Sequence, residues 1–454
     1  MANENTIIGL IDDICRPKVL ANGKEILAVE IESRIGDMPH CSIRAQIEKF
    51  GEFGEPGDEV KVTAETKEWG GVVFKGIING HSISHDNGNI VYRIDLIHKN
   101  AFDLDSSSVF VPGFMPGNAV DSETVIKLQR NTSMEGGMPT AIYEVKPGNF
   151  GANIIQLLKD HTQNWKAISP ADNDMNNPKQ IEIVLQALNK IESWTGEWAS
   201  GEQALIGVSN DFSAQLKSGS TSSTYWNFLS KFISQYDLCL FCNLLDDTMA
   251  IMPVFCGIEA DRIRIDASTV SSLSHSNRYT RTPERIIVMN TDVSPVIKQG
   301  TQPQTTKIGE YKIKYPEKGA SGVTSVEMPD YLKYMSVSSH VADPIGKYAE
   351  MIAARTIGST NIVNVTTVWM PLAVPGVPVS LDYEGLLRPY HLDKINIKLE
   401  YHGYCTSVRH MITTDQPPTT SLSFSHATRD GKHKMKKHPI WPEGDYYIRW
   451  SDED

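Results

Sequence analysis

The sequence predicts a mainly β protein with some α-helix, an α+β fold. Three observations predict it. Apolar and polar residues alternate through much of the first hundred residues, which is the period of half-buried strands. A β pattern of the same kind returns near the other end of the chain. A segment with helical spacing, followed by a hairpin pattern, lies between the two.

The first β pattern runs from Pro56 to Asp105. Pro56-Gly57 predicts a turn, and Asp86–Asn89 predicts a second turn. Gly76, inside the strand that starts at Phe74, indicates a bulge or a close backbone approach. The alternating apolar positions of the flanking strands are Val60, Val62, Tyr92, Ile94 and Leu96.

The second β pattern repeats the first. Pro375–Leu381 repeats the turn and strand, and Tyr401-His402-Gly403 repeats the aromatic residue two places before a glycine. A turn at Gln416–Pro418 leads into Ser421–Ser425, the counterpart of the last strand. Gly57 and Gly76 are 19 residues apart in the first copy, and Gly376 and Gly403 are 27 residues apart in the second. The repeat is therefore one of pattern and not of identity.

Composition limits the class of protein. A chain of 454 residues is long enough for roughly two to four domains. The net charge of -12 argues against a nucleic-acid binder and would suit a surface past which DNA slides. The six cysteines are sparse and suit a reducing compartment. No apolar run is long enough for a membrane helix, and the N-terminus shows no secretory signal.

The pattern divides the chain into five segments. Residues 1–105 are predicted to be β throughout, as an antiparallel barrel or sandwich. Residues 106–205 are an inserted mixed domain, in which 181–191 fits a strand or a helix equally well. Residues 206–280 are a connecting domain of one amphipathic helix and a β-hairpin. Residues 281–430 are the second β domain, and 431–454 are a C-terminal tail.

No catalytic, cofactor or metal site is predicted. Nucleotide-binding, metalloprotease and hydrolase motifs are absent from the sequence. Cys239 and Cys242 lie in an apolar strand, where core packing is favoured over a metal or redox role. Asp103 and Asp105 are interpreted as residues at a turn or strand end. Histidines 81, 85, 402 and 410 are interpreted as strand-surface residues.

Three stretches together resemble a known family. They are VFKGIINGHSIS at 73–84, YWNFLSKFISQYDLCLFCNLLDD at 225–247, and PGVPVSLDYEG followed by EYHGYCTSVRHMI between 375 and 412. Their order resembles the baseplate hub family of contractile-tailed phages, which includes the late control D proteins. The N-terminal part of type VI secretion spike proteins is similar. The resemblance covers about residues 1–430.

The resemblance implies two tube-type antiparallel β-barrel domains per chain and a homotrimer that presents six similar units. Such a trimer adapts a six-fold tail tube to a three-fold spike and forms part of the central channel. The implied partners are a spike protein below and a tail tube protein above, with baseplate wedge and tape-measure proteins as further candidates. DNA would pass through the channel without specific binding. The implied location is the virion, after assembly in the host cytoplasm.

The tail supplies the candidate interface residues, because aromatic side chains dominate interface energetics. They are Trp441, Tyr446, Tyr447 and Trp450. A disordered tail is the alternative. The competing function is a tail-associated cell-wall hydrolase with its site in the 106–205 insert, and a third is a carbohydrate-binding β module. The acidic residues considered for a hydrolase are Glu123, Glu135, Glu144, Asp160 and Glu182, in which no pair has a defensible spacing.

Overall fold

The structure is a computed structural model. The residues that it describes are 5–7, 17–46, 51–66, 69–86, 89–107, 140–144, 155, 158–159, 162, 178–193, 213–217, 224–234, 238–245, 248–253, 261–277, 285–291, 306–312, 323–327, 349, 352, 355, 361–382, 400–429, 433–436 and 447–450. These residues are mostly in antiparallel strands, with a few helices, as the sequence predicts.

The first β unit is a series of paired strands. Strand β6 pairs with β2 and β7, β7 with β8, β8 with β5, and β5 with β4. Strand β2 also pairs with β3, which ends this order. The strands are β2 Lys18–Ala21, β3 Lys24–Glu25, β4 Ala28–Arg34, β5 His40–Ala45, β6 Glu59–Glu65, β7 Gly70–Asp86 and β8 Asn89–His98. Strand β1, Asn5–Ile7, pairs instead with residues Asp261–Ile263.

Alternation in the sequence becomes alternation in burial. In β6, Val60, Val62 and Ala64 are fully buried while the residues between them are exposed or half-buried. Strands β4 and β5 show the same period, and their apolar residues join one core. Each buried Val or Ile contributes about 1.5–3 kcal/mol through removal of its surface from water. The register of these strands is therefore fixed by their apolar face.

Residues 99–105 correct the prediction that the first segment is β throughout. Helix α1, Lys99–Asp105, follows β8 directly. Its buried residues are Asn100, Ala101 and Leu104, the spacing of one helix face. The segment is too short for its sequence period to be distinctive. Packing of that face against the other helices of the chain decides its conformation.

The middle of the chain contains the predicted helix and hairpin. Thr224 Oγ1 accepts a hydrogen bond from the backbone N–H of Asn227 at 3.2 Å and caps the start of the helix. The ambiguous stretch at 181–191 is a helix that ends in a short strand. The elements are β9 Thr140–Glu144, α2 Pro178–Lys190, β10 Ile191–Ser193, β11 Ser213–Lys217, α3 Tyr225–Ser234, β12 Leu238–Cys242 and β13 Met249–Pro253.

The second β unit contains strands from further upstream than the predicted boundary at 281. Strand β14 pairs with β20, and β15 with β19, so 261–277 belongs with this unit through its pairing. Strands β16–β18 form a separate sheet, and β23 pairs with β24. The strands are β14 Asp261–Ile265, β15 Val270–Asn277, β16 Arg285–Thr291, β17 Thr306–Lys312, β18 Val323–Glu327, β19 Asn361–Val368, β20 Pro378–Asp382, β21 Glu400–Thr413, β22 Thr419–Arg429, β23 His433–Lys436 and β24 Tyr447–Trp450.

Candidate functional site: a strand junction between two repeated units

The two β units repeat each other in strand pairing. Val60 of β6 lies opposite Gly76 of β7, and Val379 of β20 lies opposite Gly403 of β21. Leu96 of β8 faces Cys41 of β5. Its counterpart Phe424 of β22 faces Val363 of β19. These pairs confirm the repeat predicted from the sequence, because Gly76 of the first unit is equivalent to Gly403 of the second.

A β-bulge at the same place strengthens the correspondence. In the first unit the register shifts between Ile78 and Gly80, opposite Leu96 and Asp95. In the second unit it shifts between Cys405 and Ser407, opposite Phe424 and Ser423. Both shifts lie two to four residues after the repeated glycine. Bulges re-aim a strand, so the two long strands bend at a corresponding point, and the β21–β22 pair has a further shift between His402 and Tyr404.

The two units share one continuous sheet. Eight strands follow one another in the order β7, β8, β5, β4, β21, β22, β19, β15, and every adjacent pair is antiparallel. The junction is β4 against β21, from Ala28 opposite Thr413 to Arg34 opposite Ser407. Two further backbone hydrogen bonds extend it, from Thr414 N–H to the Leu27 carbonyl and from Ile35 N–H to the Thr406 carbonyl. Main-chain pairing therefore joins the units.

Side chains on one face of the junction are buried. Ile412 of β21 is fully buried and belongs to the core of the first unit, although it comes from the second. Trp369, which follows β19, enters the same core and lies edge-on to Trp69 with ring centroids 4.9 Å apart. The first unit therefore depends on the second for part of its apolar core, which holds the two in a fixed relation.

His410 occupies the buried face at the centre of the junction, opposite Ile31. Burial lowers the pKa of His410 to about 4, and a backbone hydrogen bond with Ala373 partly opposes this. The ring is therefore neutral at pH 7. Thr420 Oγ1 lies 3.0 Å from Nδ1 of His410 and accepts the N–H of Met370. The prediction that His410 is a surface residue of its strand is wrong, because the segment that contains Met370 and Ala373 packs on that face.

The opposite face of the eight-strand sheet is polar. Its charges occur largely in pairs, with Arg409 Nη2 2.6 Å from Glu30 Oε1 across the junction and Arg93 Nε 3.0 Å from Asp95 Oδ1. Arg34 pairs with Glu32, and Arg44 adds one more positive charge. Surface ion pairs contribute little stability, but they leave this face nearly neutral. The hydroxyl and amide side chains on it include Ser42, Ser272, Ser274, Asn364, Thr366, Ser407, Ser421 and Ser423.

The two ends of the eight-strand sheet are strand edges. Strand β6 pairs with β7 only from Gly70 to Ile77, so no strand of the described chain covers the rest of that edge. Strand β15 pairs only with β19 within the same described part. Ile83 on β7 is 52% exposed, and Leu273 on β15 is half-buried. Exposed strand edges are sites for pairing with another chain.

The predicted interface residues fall in the tail. Tyr447 and Trp450 lie in β24, opposite Lys436 and His433 of β23. Trp441 and Tyr446 lie outside the described residues. The tail aromatics stay a prediction from composition, whereas sequence reasoning did not identify β7 and β15 as the strands with uncovered edges. The sequence signal for the β7 edge is Ile83, a single apolar residue among the polar residues of 81–86.

The cysteine pair and the aspartate pair pack or form hydrogen bonds within the fold. Cys239 and Cys242 are buried in β12, and burial raises the pKa of the Cys242 thiol. Asp105 Oδ1 accepts a hydrogen bond from Thr224 Oγ1 at 2.7 Å, which ties α1 to the start of α3. Burial raises the pKa of Asp103 to about 6, although Lys99 and Lys190 oppose this. Both aspartates lie in α1, not at the predicted turn or strand end.

Within the described ranges, no group of three or more His, Cys, Asp and Glu side chains is placed to hold a metal ion. The same ranges contain no helix that is long and apolar enough to cross a membrane. Of the acidic residues considered for a hydrolase, Glu144 lies in β9 and Glu182 is exposed on α2. The other three lie outside the described residues.

Neither a protein-family model nor a curated protein sequence matches this chain. The chain is similar in structure to the tail protein from Neisseria meningitidis, with a TM-score of 0.51 and 12% identity over 95% of this chain and 100% of that one. A 43 kDa prophage MuSo2 tail protein from Shewanella oneidensis aligns with a TM-score of 0.49 and 11% identity, over 95% and 100%. An Escherichia coli type VI secretion component aligns at 0.43 and 8%, over 91% and 76%. The chain has the fold of the Neisseria meningitidis tail protein, and at the level of the fold the resemblance found in the sequence is confirmed.

Proposed function

We propose that the protein is a structural hub of a contractile phage tail or a related injection machine. It adapts a six-fold tail tube to a three-fold spike and forms part of the central channel. The observation that carries this proposal is the repeat itself: two units with one strand order, one glycine register and one bulge position, joined side by side by β4 and β21. The similarity to a tail protein supports it.

The physical argument concerns symmetry. Three identical chains related by a three-fold axis give three equivalent positions. A chain that presents two similar units, held in a fixed relation by shared sheet and core, gives six similar positions. Main-chain pairing needs no matching side chains, so the units can be related in backbone while their sequences differ. This role requires no chemical site, and the proposal is therefore a non-enzymatic protein.

The polar face of the eight-strand sheet is the proposed channel lining. It is rich in serine, and its acidic and basic residues nearly cancel. DNA would find no cluster of unpaired cations there to hold its phosphates. This differs from a strongly negative lining, because the net charge of the chain is not concentrated on this face. The proposed partners are a tail tube protein above, a spike protein below, and wedge and tape-measure proteins around them in the virion.

The test is the mass and shape of the purified chain. We expect light scattering to give three times the chain mass of 50.5 kDa, and averaged electron micrographs to show a ring of six similar lobes. A monomer, or a ring with another number of lobes, would contradict the proposal. A cell-wall digestion assay on the same sample tests the alternative of a hydrolase, and release of wall fragments would contradict a purely structural role.

A further inference from the structure

The inference concerns which strand edges meet between chains, and it rests on the proposed function. Five strands of one unit, β6, β7, β8, β5 and β4, have counterparts in the other, β20, β21, β22, β19 and β15. Strand β7 corresponds to β21, and β4 corresponds to β15. Within one chain, the C-terminal half of β21, Ser407–Thr413, pairs with β4. The corresponding pair would join the C-terminal half of β7, residues 80–86, to β15. These two strands lie at opposite ends of the eight-strand sheet, so one chain cannot join them without closing on itself.

We infer that β7 of one chain pairs with β15 of a second copy of this chain. The direction is consistent, because eight alternating antiparallel strands leave β15 and the next β7 running in opposite directions. The partner is fixed by continuity with the β4–β21 junction, which the interface between chains copies. Repetition around a three-fold axis then makes one closed sheet, in which neither edge stays exposed.

The register follows from the same correspondence. Gly76 matches Gly403, which places Ser84 at the position of Met411. Ile31 matches His275, because Ile31 faces Cys41 and His275 faces Val363, and this places Ser274 at the position of Glu30. Met411 lies opposite Glu30 at the junction. Ser84 of one chain therefore lies opposite Ser274 of the next.

The chemistry of the two edges fits this register. On the core-facing side, Ile83 takes the place of His410, which faces Ile31, so Ile83 lies opposite His275 of the next chain. Leu273, in the place of Val29, is its diagonal neighbour. His410 and Val29 are buried, whereas Ile83 is half exposed in the single chain. On the polar side, small hydroxyl residues meet on both edges without opposed like charges. They are Ser82 and Ser84 on β7 and Ser272, Ser274 and Ser276 on β15.

The experiment is disulfide trapping in the intact chain. The double variant Ser84→Cys with Ser274→Cys places two thiols in the inferred cross-strand pair, where antiparallel geometry allows a disulfide. The matched control is Ser82→Cys with Ser272→Cys, on the same strands and the same face but four residues out of register. We expect the first variant to give covalent trimers on non-reducing gels and the control to give none. A mixture of the two single variants Ser84→Cys and Ser274→Cys should give covalent dimers only.

The outcomes separate this inference from the proposed function. A trimeric mass under reducing conditions without cross-linking in the Ser84/Ser274 variant would overturn the strand pairing and leave the hub proposal standing. Cross-linking in the control instead would overturn the register. A monomeric mass for the unmodified chain would overturn both.

A second variant tests the edge without added thiols. Ile83→Lys puts a positive charge against His275 and Leu273 of the inferred partner strand, and we expect self-association to weaken about tenfold or more. Ile183→Lys is the control, because Ile183 is 40% exposed on α2 and far along the chain from either edge. Equal association of the two variants would overturn the inference.

Discussion

His410 shows how one residue's surroundings change its role. Its sequence neighbours on β21 alternate as in any half-exposed strand, and the expected surface histidine would titrate near its usual pKa. The structure places the backbone of Ala373 against its ring and Thr420 beside it. A buried ring with a pKa of about 4 stays neutral in the folded chain while the unfolded chain takes up a proton below about pH 6.5.

The consequence is acid sensitivity. Between pH 6.5 and 4 the unfolded state binds more protons than the folded state at this site, so the free energy of unfolding falls as the pH falls, by about 2–3 kcal/mol. We expect His410→Gln to remove most of this slope in urea unfolding at pH 7.5 and 5. His40→Gln, on the exposed face of β5, is the control and should keep it. An unchanged slope in His410→Gln would show that other groups cause the acid sensitivity.

At the scale of the element, Gly76 is a position in β7 where a larger side chain does not fit. A Cβ at Gly76 would lie 2.6 Å from the carbonyl oxygen of Ile97 in β8 and 2.6 Å from Phe74. The sequence left a bulge or a close approach open for this glycine. The structure shows the close approach at Gly76 and places the bulges on either side, opposite Val62 and after Ile78.

We therefore expect Gly76→Ala to reduce the free energy of unfolding by about 2 kcal/mol or more, because the backbone carbonyl cannot move away without loss of the β7–β8 pairing. Gly80→Ala is the matched control on the same strand. A Cβ there meets nothing within 4 Å, and the change should stay within about 0.5 kcal/mol. Chemical denaturation of both variants measures the difference, and equal stabilities would refute the close approach.

At the scale of the whole molecule, the C-terminal hairpin is the element that needs a partner. Among the described strands, β23 and β24 pair only with each other. A two-stranded hairpin alone in water is marginally stable, so a surface that covers it would stabilise it. The tail aromatics at 441, 446, 447 and 450 are the proposed contacts with a spike or a neighbouring chain.

Truncation after Gly431 removes this hairpin and leaves both β units intact. We expect weaker self-association or weaker binding of a spike protein, seen as a fall in mass by light scattering. A chain that ends after Gly431 yet assembles as the full chain does would remove the tail from the interface.

Local sequence patterns predicted much of the fold, because these elements depend on residues that are close together in the chain. The Tyr225–Ser234 helix, the hairpin after it and the alternation in β6 and β8 follow from apolar period and capping residues. The α1 helix could not be predicted in this way, because seven residues carry too little period and its packing partners come from far along the chain. The assignment of 261–277 to the second unit likewise depends on pairing with residues about a hundred positions away.

The sequence by itself determined that two similar β patterns exist in this chain, since turns, glycines and alternation are properties of residues close together. Only the tertiary structure decided that β4 and β21 join them, which edges are left over and that His410 is buried. Those facts depend on strands brought together from distant parts of the chain, and backbone hydrogen bonds between strands leave little trace in the identity of the side chains.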